Sequence, residues 1–184
     1  MHILHRILVP LTNGNELDKI ADRMELIDSA RSYAESETEE FYPSVYDWRE
    51  TDTAGRWSDR YPENVLLGKE CPEHLLKEVE KCQQAQKDTL NEHLKALTDI
   101  SGDKLSVLVQ KITDYYDSGK TLLGDTSLTA YRLNCLSMIL SGKYYYDSYF
   151  YDTDSYTARI DLNTIQKIKE NPDNWALVLF DCHY

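Results

Sequence analysis

Two apolar segments at opposite ends of the chain constrain its fold more than any other feature. The segments His2–Leu11 and Trp175–His183 are dense in β-branched and other apolar residues, which is typical of β-strands. We expect Ile3–Val9 and Ala176–Cys182 to be strands of one antiparallel or mixed sheet. Both segments are far shorter than the ~20 apolar residues that a membrane-spanning helix needs, so we expect no association with a membrane.

Apolar spacing and capping residues predict the elements between these two strands. In chain order they are a helix capped by Asn15 that ends at about Ala34, a strand near Ser44–Arg49, a loop over residues 50–70, three helices within residues 71–141, strands at Lys143–Tyr151 and Ser155–Ile160, and a helix capped by Asp161 that ends at about Glu170.

This order of elements predicts the fold class. Without the three helices, the order is β-α-β followed by β-α-β, which is the split pattern of ferredoxin-like sheets. We therefore expect an α+β fold in which residues 1–70 and 142–184 form a ferredoxin-like antiparallel sheet. Two helices would pack on one face of this sheet, and residues 71–141 would form an inserted helical block.

The charge of the chain restricts its partners. It carries 32 acidic and 20 basic side chains, a formal net charge of −12. The excess is concentrated near the start, especially at Glu35, Glu37, Glu39 and Glu40. Direct binding to free nucleic acid is not expected, because Lys and Arg supply that affinity. An acidic surface is instead attracted to basic clefts, including the nucleic-acid channels of other proteins. Alternatively, the negative charge serves only to keep the protein soluble and has no role in binding a partner.

An aromatic loop is the most distinctive segment of the sequence. It contains Asp47, Trp48, Arg56 and Trp57. Such a loop can hold a planar ligand by stacking, with Arg56 pairing a carboxylate or a phosphate. Alternatively, Trp57 folds back over the sheet, and Arg56 fixes the loop by pairing with Asp47 or Asp59. We favour this anchoring role for Trp57, because Gly55 and Arg56 suit a tight turn that a charge pair ties back.

A tyrosine-rich strand is the second candidate binding surface. The chain has 14 tyrosines, and strand alternation places Tyr145, Tyr149 and Tyr151 on one face together with Asp147. Tyrosine suits a binding face, since it offers a large contact area at little cost in side-chain entropy. It also suits a strand that is half core and half exposed. Asp147, Asp152 and Asp154 could coordinate Mg²⁺ through hard oxygen ligands, although closely spaced aspartates often form turns.

The cysteines and histidines do not predict a cofactor. Neither residue type occurs in the paired short spacings of a zinc site, and the four cysteines are expected to be reduced thiols. His2, His5 and His183 could meet if the terminal strands are neighbours, but we favour a surface or packing role for them. We therefore expect no metal and no other cofactor.

The start of the chain resembles small proteins of phages and mobile elements. The resemblance rests on a β-α-β start, the group Tyr46-Asp47-Trp48 and the motif Gly55-Arg56-Trp57-Ser58, and it covers roughly the first 60 residues. Ala54-Gly55 stands where a glycine pair is expected. In size, acidic charge and lack of catalytic motifs the chain also resembles small anti-CRISPR proteins. Those directed at Cas9 exploit its positively charged guide and target channels.

Two function hypotheses from different classes follow. The first is a cytoplasmic inhibitor of a host defence nuclease that binds a basic groove of its partner, with the Cas9–guide RNA complex as the first candidate. The alternative is a metal-dependent nuclease that uses Mg²⁺ at Asp147, Asp152 and Asp154 to cleave RNA, such as a guide RNA held by a partner protein. A mobile-element protein without a role in defence is a third possibility. The sequence leaves open whether the protein is an enzyme.

Overall fold

The two terminal segments are strands of one sheet. The computed structural model describes residues 1–12, 16–41, 45–99, 106–107, 110, 125–141 and 149–183. Strand β1 (His2–Pro10) is antiparallel to strand β5 (Trp175–His183), and the two strands pair along their whole length. The prediction for the chain ends is therefore confirmed.

Three short strands complete the sheet. They are β2 (Trp48–Glu50), β3 (Val65–Leu67) and β4 (Phe150–Asp152). Strand β4 pairs with β1 in parallel, whereas β2 and β3 pair antiparallel with the end and the start of β5. The sheet is therefore mixed, with β5 and β1 at its centre.

Four helices are described, and two of them begin at aspartate caps. They are α1 (Arg23–Glu37), α2 (Pro72–Thr98), α3 (Asp125–Ser141) and α4 (Leu162–Glu170). The Asp161 carboxylate accepts the N–H of Thr164, as predicted. The Asp22 carboxylate accepts two N–H groups and starts α1 later than expected, and a short 3-10 turn precedes it at Leu17–Lys19. The predicted cap, Asn15, lies outside the described residues.

Helices cover both faces of the central strands. On one face Ile7, Val178 and Phe180 pack with the apolar side of α1. On the other face Leu8 and Leu177 pack with the start of α2 and with α4. Because both faces of β1 and β5 are apolar, a single layer of helices would leave one face in contact with water.

The α+β class is therefore confirmed, but the ferredoxin-like detail is not. Helices α1 and α4 lie on opposite faces of the sheet rather than on one face. In the ferredoxin-like order the second strand would pair with the outer edge of β4, whereas β2 and β3 both pair with β5. The sheet is also mixed rather than antiparallel, because β1 and β4 are parallel.

The segment boundaries differ from the predicted ones in several places. The predicted loop over residues 50–70 contains β3 and a 3-10 turn at Gly55–Trp57. The predicted strand Ser155–Ile160 is a turn with a single bridge between Asp152 and Thr157. Of the predicted strand Lys143–Tyr151, residues 143–148 lie outside the described residues.

The chain divides into two compact units. One comprises Met1–Gln86 and Lys143–Tyr184 and contains the sheet; the other comprises Lys87–Gly142. The sequence-based boundary at residue 71 precedes this one, because the start of α2 packs on the sheet. The predicted middle helix of the insertion falls mostly outside the described residues. Across the described part of the chain, no helix combines the length and hydropathy of a membrane span.

Candidate functional site

The exposed side of α1 carries acidic and hydroxyl side chains. Its buried side consists of Leu26, Ile27, Ala30 and Ala34. The opposite side follows the three- and four-residue spacing of one helix face, at Asp22, Glu25, Ser29, Ser32 and Ser36. These residues line parts of two concavities along the helix, and the larger of the two has a volume of about 1200 Å³.

The second concavity, at the end of α1, brings together two of the predicted binding segments. It has a volume of about 620 Å³. We call it the acidic–tyrosine groove, and it is lined by Ser36, Glu37, Glu39, Glu40, Tyr151 and Tyr156. Three carboxylates and two phenols therefore face one open space, and its lining includes no lysine or arginine. The predicted acidic segment and the tyrosine-rich strand meet here.

Tyr151 forms the inner wall of the groove. Its ring packs edge to face on Phe41, with the ring centroids 4.9 Å apart. Burial raises the pKa of Tyr151 to about 12, and the carboxylates of Glu40 and Glu37 contribute in the same direction. The phenol therefore remains protonated at neutral pH.

Tyr156 forms the rim of the groove in a strained backbone conformation. Its φ is +51°, in the left-handed region that is costly for a bulky side chain, and the residue is 68% exposed. The buried Asp152 holds this turn, because its carboxylate accepts the N–H groups of Asp154 and Ser155 at 3.0 and 3.4 Å. The turn thus presents an aromatic ring to solvent beside three carboxylates. Sequence reasoning missed Tyr156, which lies five residues beyond the predicted tyrosine-rich strand.

A lysine occupies the position that a metal ion would need between the predicted carboxylate ligands. The Lys167 ammonium lies 2.7 Å from the Asp152 carboxylate and 3.2 Å from that of Asp154. These two aspartates therefore form a turn and an ion pair, which is the alternative that the sequence left open. Asp147 lies outside the described residues. Within the described part of the chain, no group of three or more His, Cys, Asp or Glu side chains is arranged to hold a metal.

Two residues of the predicted acidic segment and tyrosine-rich strand, Glu35 and Tyr149, do not line the groove. The carboxylate of Glu35 points to β2, where it lies 3.6 Å from Arg49 and accepts the Thr51 hydroxyl at 3.3 Å. Tyr149 is half-buried and packs against the hydrophobic clusters on both faces of the sheet. Tyr145 lies outside the described residues.

The loop that carries Trp57 is anchored to β5 by a main-chain hydrogen bond rather than by the predicted charge pair. The N–H of Arg56 donates to the Asp181 carboxylate at 3.0 Å, and the Arg56 side chain is exposed. Gly55 has a φ of +52°, and a Cβ at this residue would lie 2.5 Å from the Cβ of Asp181. Among the described contacts Arg56 forms no ion pair with Asp47 or Asp59, and Asp47 instead pairs with His183. The predicted pairing is therefore wrong.

The half-buried Trp57 packs against one hydrophobic cluster, which leads to a stability prediction. Removing a fully buried aromatic side chain costs about 3–5 kcal/mol, so we expect Trp57→Ala to lower the free energy of unfolding by about 2 kcal/mol. The matched control is Trp48→Ala, since Trp48 is 43% exposed. Chemical denaturation of both variants measures the difference. A Trp57→Ala protein as stable as the unmodified chain would show that Trp57 is not an anchor.

A buried carboxylate that the sequence analysis overlooked connects β1, the loop and α2. The Glu78 side chain is fully buried and accepts hydrogen bonds from Arg6 at 2.8 Å, from Arg60 at 3.0 Å and from Lys81. Burial alone would raise the pKa of Glu78, but hydrogen bonds from Lys81 and Arg6 outweigh it and lower the pKa to about 2. A carboxylate that is ionised throughout the neutral range is a poor proton acceptor. Glu78 therefore stabilises the fold rather than serving as a general base.

Comparison of the chain with protein-family models, with curated proteins and with solved structures finds no match. The case for a function therefore depends on the geometry of the described residues. The acidic–tyrosine groove is the strongest candidate among them, since it unites exposed charge, exposed aromatic surface and a concave shape.

Proposed function

We propose that the protein is a non-catalytic binding protein whose acidic–tyrosine groove holds a basic surface of a partner protein. One observation carries this proposal: three carboxylates and two tyrosines line a single open concavity. Carboxylates bind guanidinium and ammonium groups through charge-assisted hydrogen bonds. The exposed ring of Tyr156 adds apolar contact area, and an aromatic ring also attracts cations.

Long-range attraction favours the same kind of partner. The net charge of −12 repels nucleic acid and accelerates encounters with basic proteins. Channels that hold nucleic acid inside a nuclease are basic surfaces of this kind. We therefore propose that the partner is a defence nuclease of the host cell, and the Cas9–guide RNA complex is the first one to test. This choice follows the resemblance to small acidic anti-CRISPR proteins.

An inhibition assay tests the proposed partner. The Cas9–guide RNA complex is incubated with the protein in Mg²⁺ or in EDTA, the guide is analysed on a denaturing gel, and DNA cleavage is then measured in Mg²⁺. We expect an intact guide in both buffers and a loss of DNA cleavage that high salt reverses. A guide shortened only in Mg²⁺ would support the metal-dependent nuclease instead. Full DNA cleavage with an intact guide would exclude Cas9 as the partner.

The strained Tyr156 gives a prediction that separates binding from stability. Glycine adopts a positive φ without strain, so we expect Tyr156→Gly to leave the melting temperature unchanged or to raise it. The same change removes an exposed ring from the groove and should weaken partner binding by about 2 kcal/mol, roughly 30-fold in Kd. Leu162→Ala is the matched control, since Leu162 is 81% exposed and does not line the groove. Unchanged binding by the Tyr156→Gly protein would remove Tyr156 from the interface.

A further inference from the structure

The pairing of the terminal strands places two histidines side by side at one end of the sheet. His2 lies directly opposite His183 in the β1–β5 register. The centroids of their imidazole rings are 4.9 Å apart, and the ring planes are inclined by 61°. His5, the third histidine of the terminal strands, does not join them. It is buried on the other face against Tyr46, and burial lowers its pKa to about 3.

Each of the two paired rings has a carboxylate behind it. The Nδ1 atom of His2 lies 2.8 Å from the buried Asp181 carboxylate, and the Nδ1 atom of His183 lies 2.7 Å from that of Asp47. An ionised carboxylate only accepts hydrogen bonds, so wherever the carboxylate behind a ring is ionised, the Nδ1 of that ring donates to it. The lone pair of a neutral imidazole is then on Nε2. Within the described part of the chain, neither Nε2 atom has a hydrogen-bond partner.

This arrangement is the one found behind metal-binding histidines. A ligating histidine usually donates its other ring N–H to a carboxylate, which fixes the tautomer and increases the basicity of the ligating nitrogen. Two imidazoles that share one zinc ion at about 2.0–2.1 Å have centroids roughly 5 Å apart when the coordination is near tetrahedral. The observed separation of 4.9 Å is compatible with that geometry, and it is also the separation of the edge-to-face contact that the two rings make. Both rings are also accessible, since the side chains of His2 and His183 are 22% and 38% exposed.

We propose that His2 and His183 form a two-histidine site for a zinc ion, oriented by Asp181 and Asp47. Imidazole nitrogen suits zinc, and the two carboxylates behind the rings balance the charge of a divalent cation. Water or a ligand from a partner fills the remaining coordination positions. This site shares no residue with the acidic–tyrosine groove, so zinc binding can be tested independently of the proposed binding function.

Titration of the full chain with zinc chloride tests the site. We expect one equivalent to bind, and the melting temperature to rise with zinc concentration, because the ion holds together two strands that are far apart in the unfolded chain. His183→Ala and His2→Ala should each weaken zinc binding at least tenfold. Asp47→Asn should weaken it about tenfold, which is the usual effect of losing a carboxylate behind a ligating histidine. Copper(II) can replace zinc as a spectroscopic probe, with two nitrogen ligands expected in its electron paramagnetic resonance spectrum.

Two controls exclude other zinc ligands on the surface. His74→Ala removes another partly exposed histidine, and Cys71→Ala removes a partly exposed thiol. Neither change should alter the zinc affinity. His183 is the decisive position, because its partner Asp47 is exposed and no buried carboxylate loses its partner when this ring is removed. Zinc binding that persists unchanged in a folded His183→Ala protein, or no binding by the unmodified chain, would overturn the proposal.

Discussion

Replacing Glu78 by glutamine is expected to lower the free energy of unfolding by about 3–5 kcal/mol, the usual cost of removing one partner from a buried ion pair. Glutamine keeps the shape of the side chain but removes the charge that balances Arg6, whose own side chain is only 14% exposed. Urea denaturation monitored by circular dichroism measures the loss. The matched control is Arg60→Ala, because the Arg60 side chain is 56% exposed and should contribute less than about 1 kcal/mol.

The same carboxylate gives the stability a defined pH dependence. The pKa of Glu78 is about 2 in the folded protein, below its ordinary value of 4.5. A group with a lowered folded-state pKa contributes its stability above the unfolded-state value and loses it as the pH falls towards the folded-state value. We therefore expect the stability difference between the unmodified chain and Glu78→Gln to be complete above pH 5 and to shrink between pH 4.5 and 2. A difference that does not change with pH over this window would contradict the account of Glu78.

Reversing the charge of the groove is expected to slow partner association at least tenfold at low salt. The variant replaces three groove residues by lysine: Glu37, Glu39 and Glu40. Exposed charges are screened over about 10 Å at 0.1 M salt, so the difference in association rate between the variant and the unmodified chain should become smaller as salt is added. Stopped-flow or surface-plasmon kinetics with the Cas9–guide RNA complex, or with another basic partner, measure the association rate.

A matched charge control makes this prediction specific to the groove. Reversing the exposed residues Asp59, Glu92 and Asp173 to lysine changes the net charge by the same amount outside the groove. Both variants should retain the fold, because all six side chains lie on or near the surface. An equal slowing by both variants would show that net charge alone steers the partner. Unchanged association by the groove variant would move the interface elsewhere.

The sequence predicted those elements whose signals are local. The apolar density of Trp175–His183 predicted a strand, and Asp161 predicted a helix start, because each depends only on its own neighbours. The sequence analysis did not predict that helices cover both faces of the sheet, although the uninterrupted apolar run Trp175–Phe180 is typical of a strand buried on both sides. Strand β3 was also missed, since it has only three residues and lies within a stretch that resembles a loop.

The candidate site was predictable in its parts but not in its assembly. Glu37 and Tyr151 were both candidates, yet their meeting depends on the parallel pairing of β4 with β1, which joins distant parts of the chain. The contact between Arg56 and Asp181 spans 125 residues, and no local pattern indicates it. The positive φ of Tyr156 likewise follows from the turn that Asp152 holds, and aromatic residues rarely adopt it.

The proposal that the acidic–tyrosine groove binds a basic protein surface can be tested most directly by a nuclear magnetic resonance titration. The isotope-labelled chain is titrated with a nine-residue arginine peptide, and the amide shifts are compared between the unmodified protein and the groove variant with lysine at residues 37, 39 and 40. We expect the largest shift changes at residues 36–41 and 151–157, and we expect them to disappear in the variant. Shift changes spread evenly over all exposed acidic residues, or the same changes in the variant, would contradict the proposal.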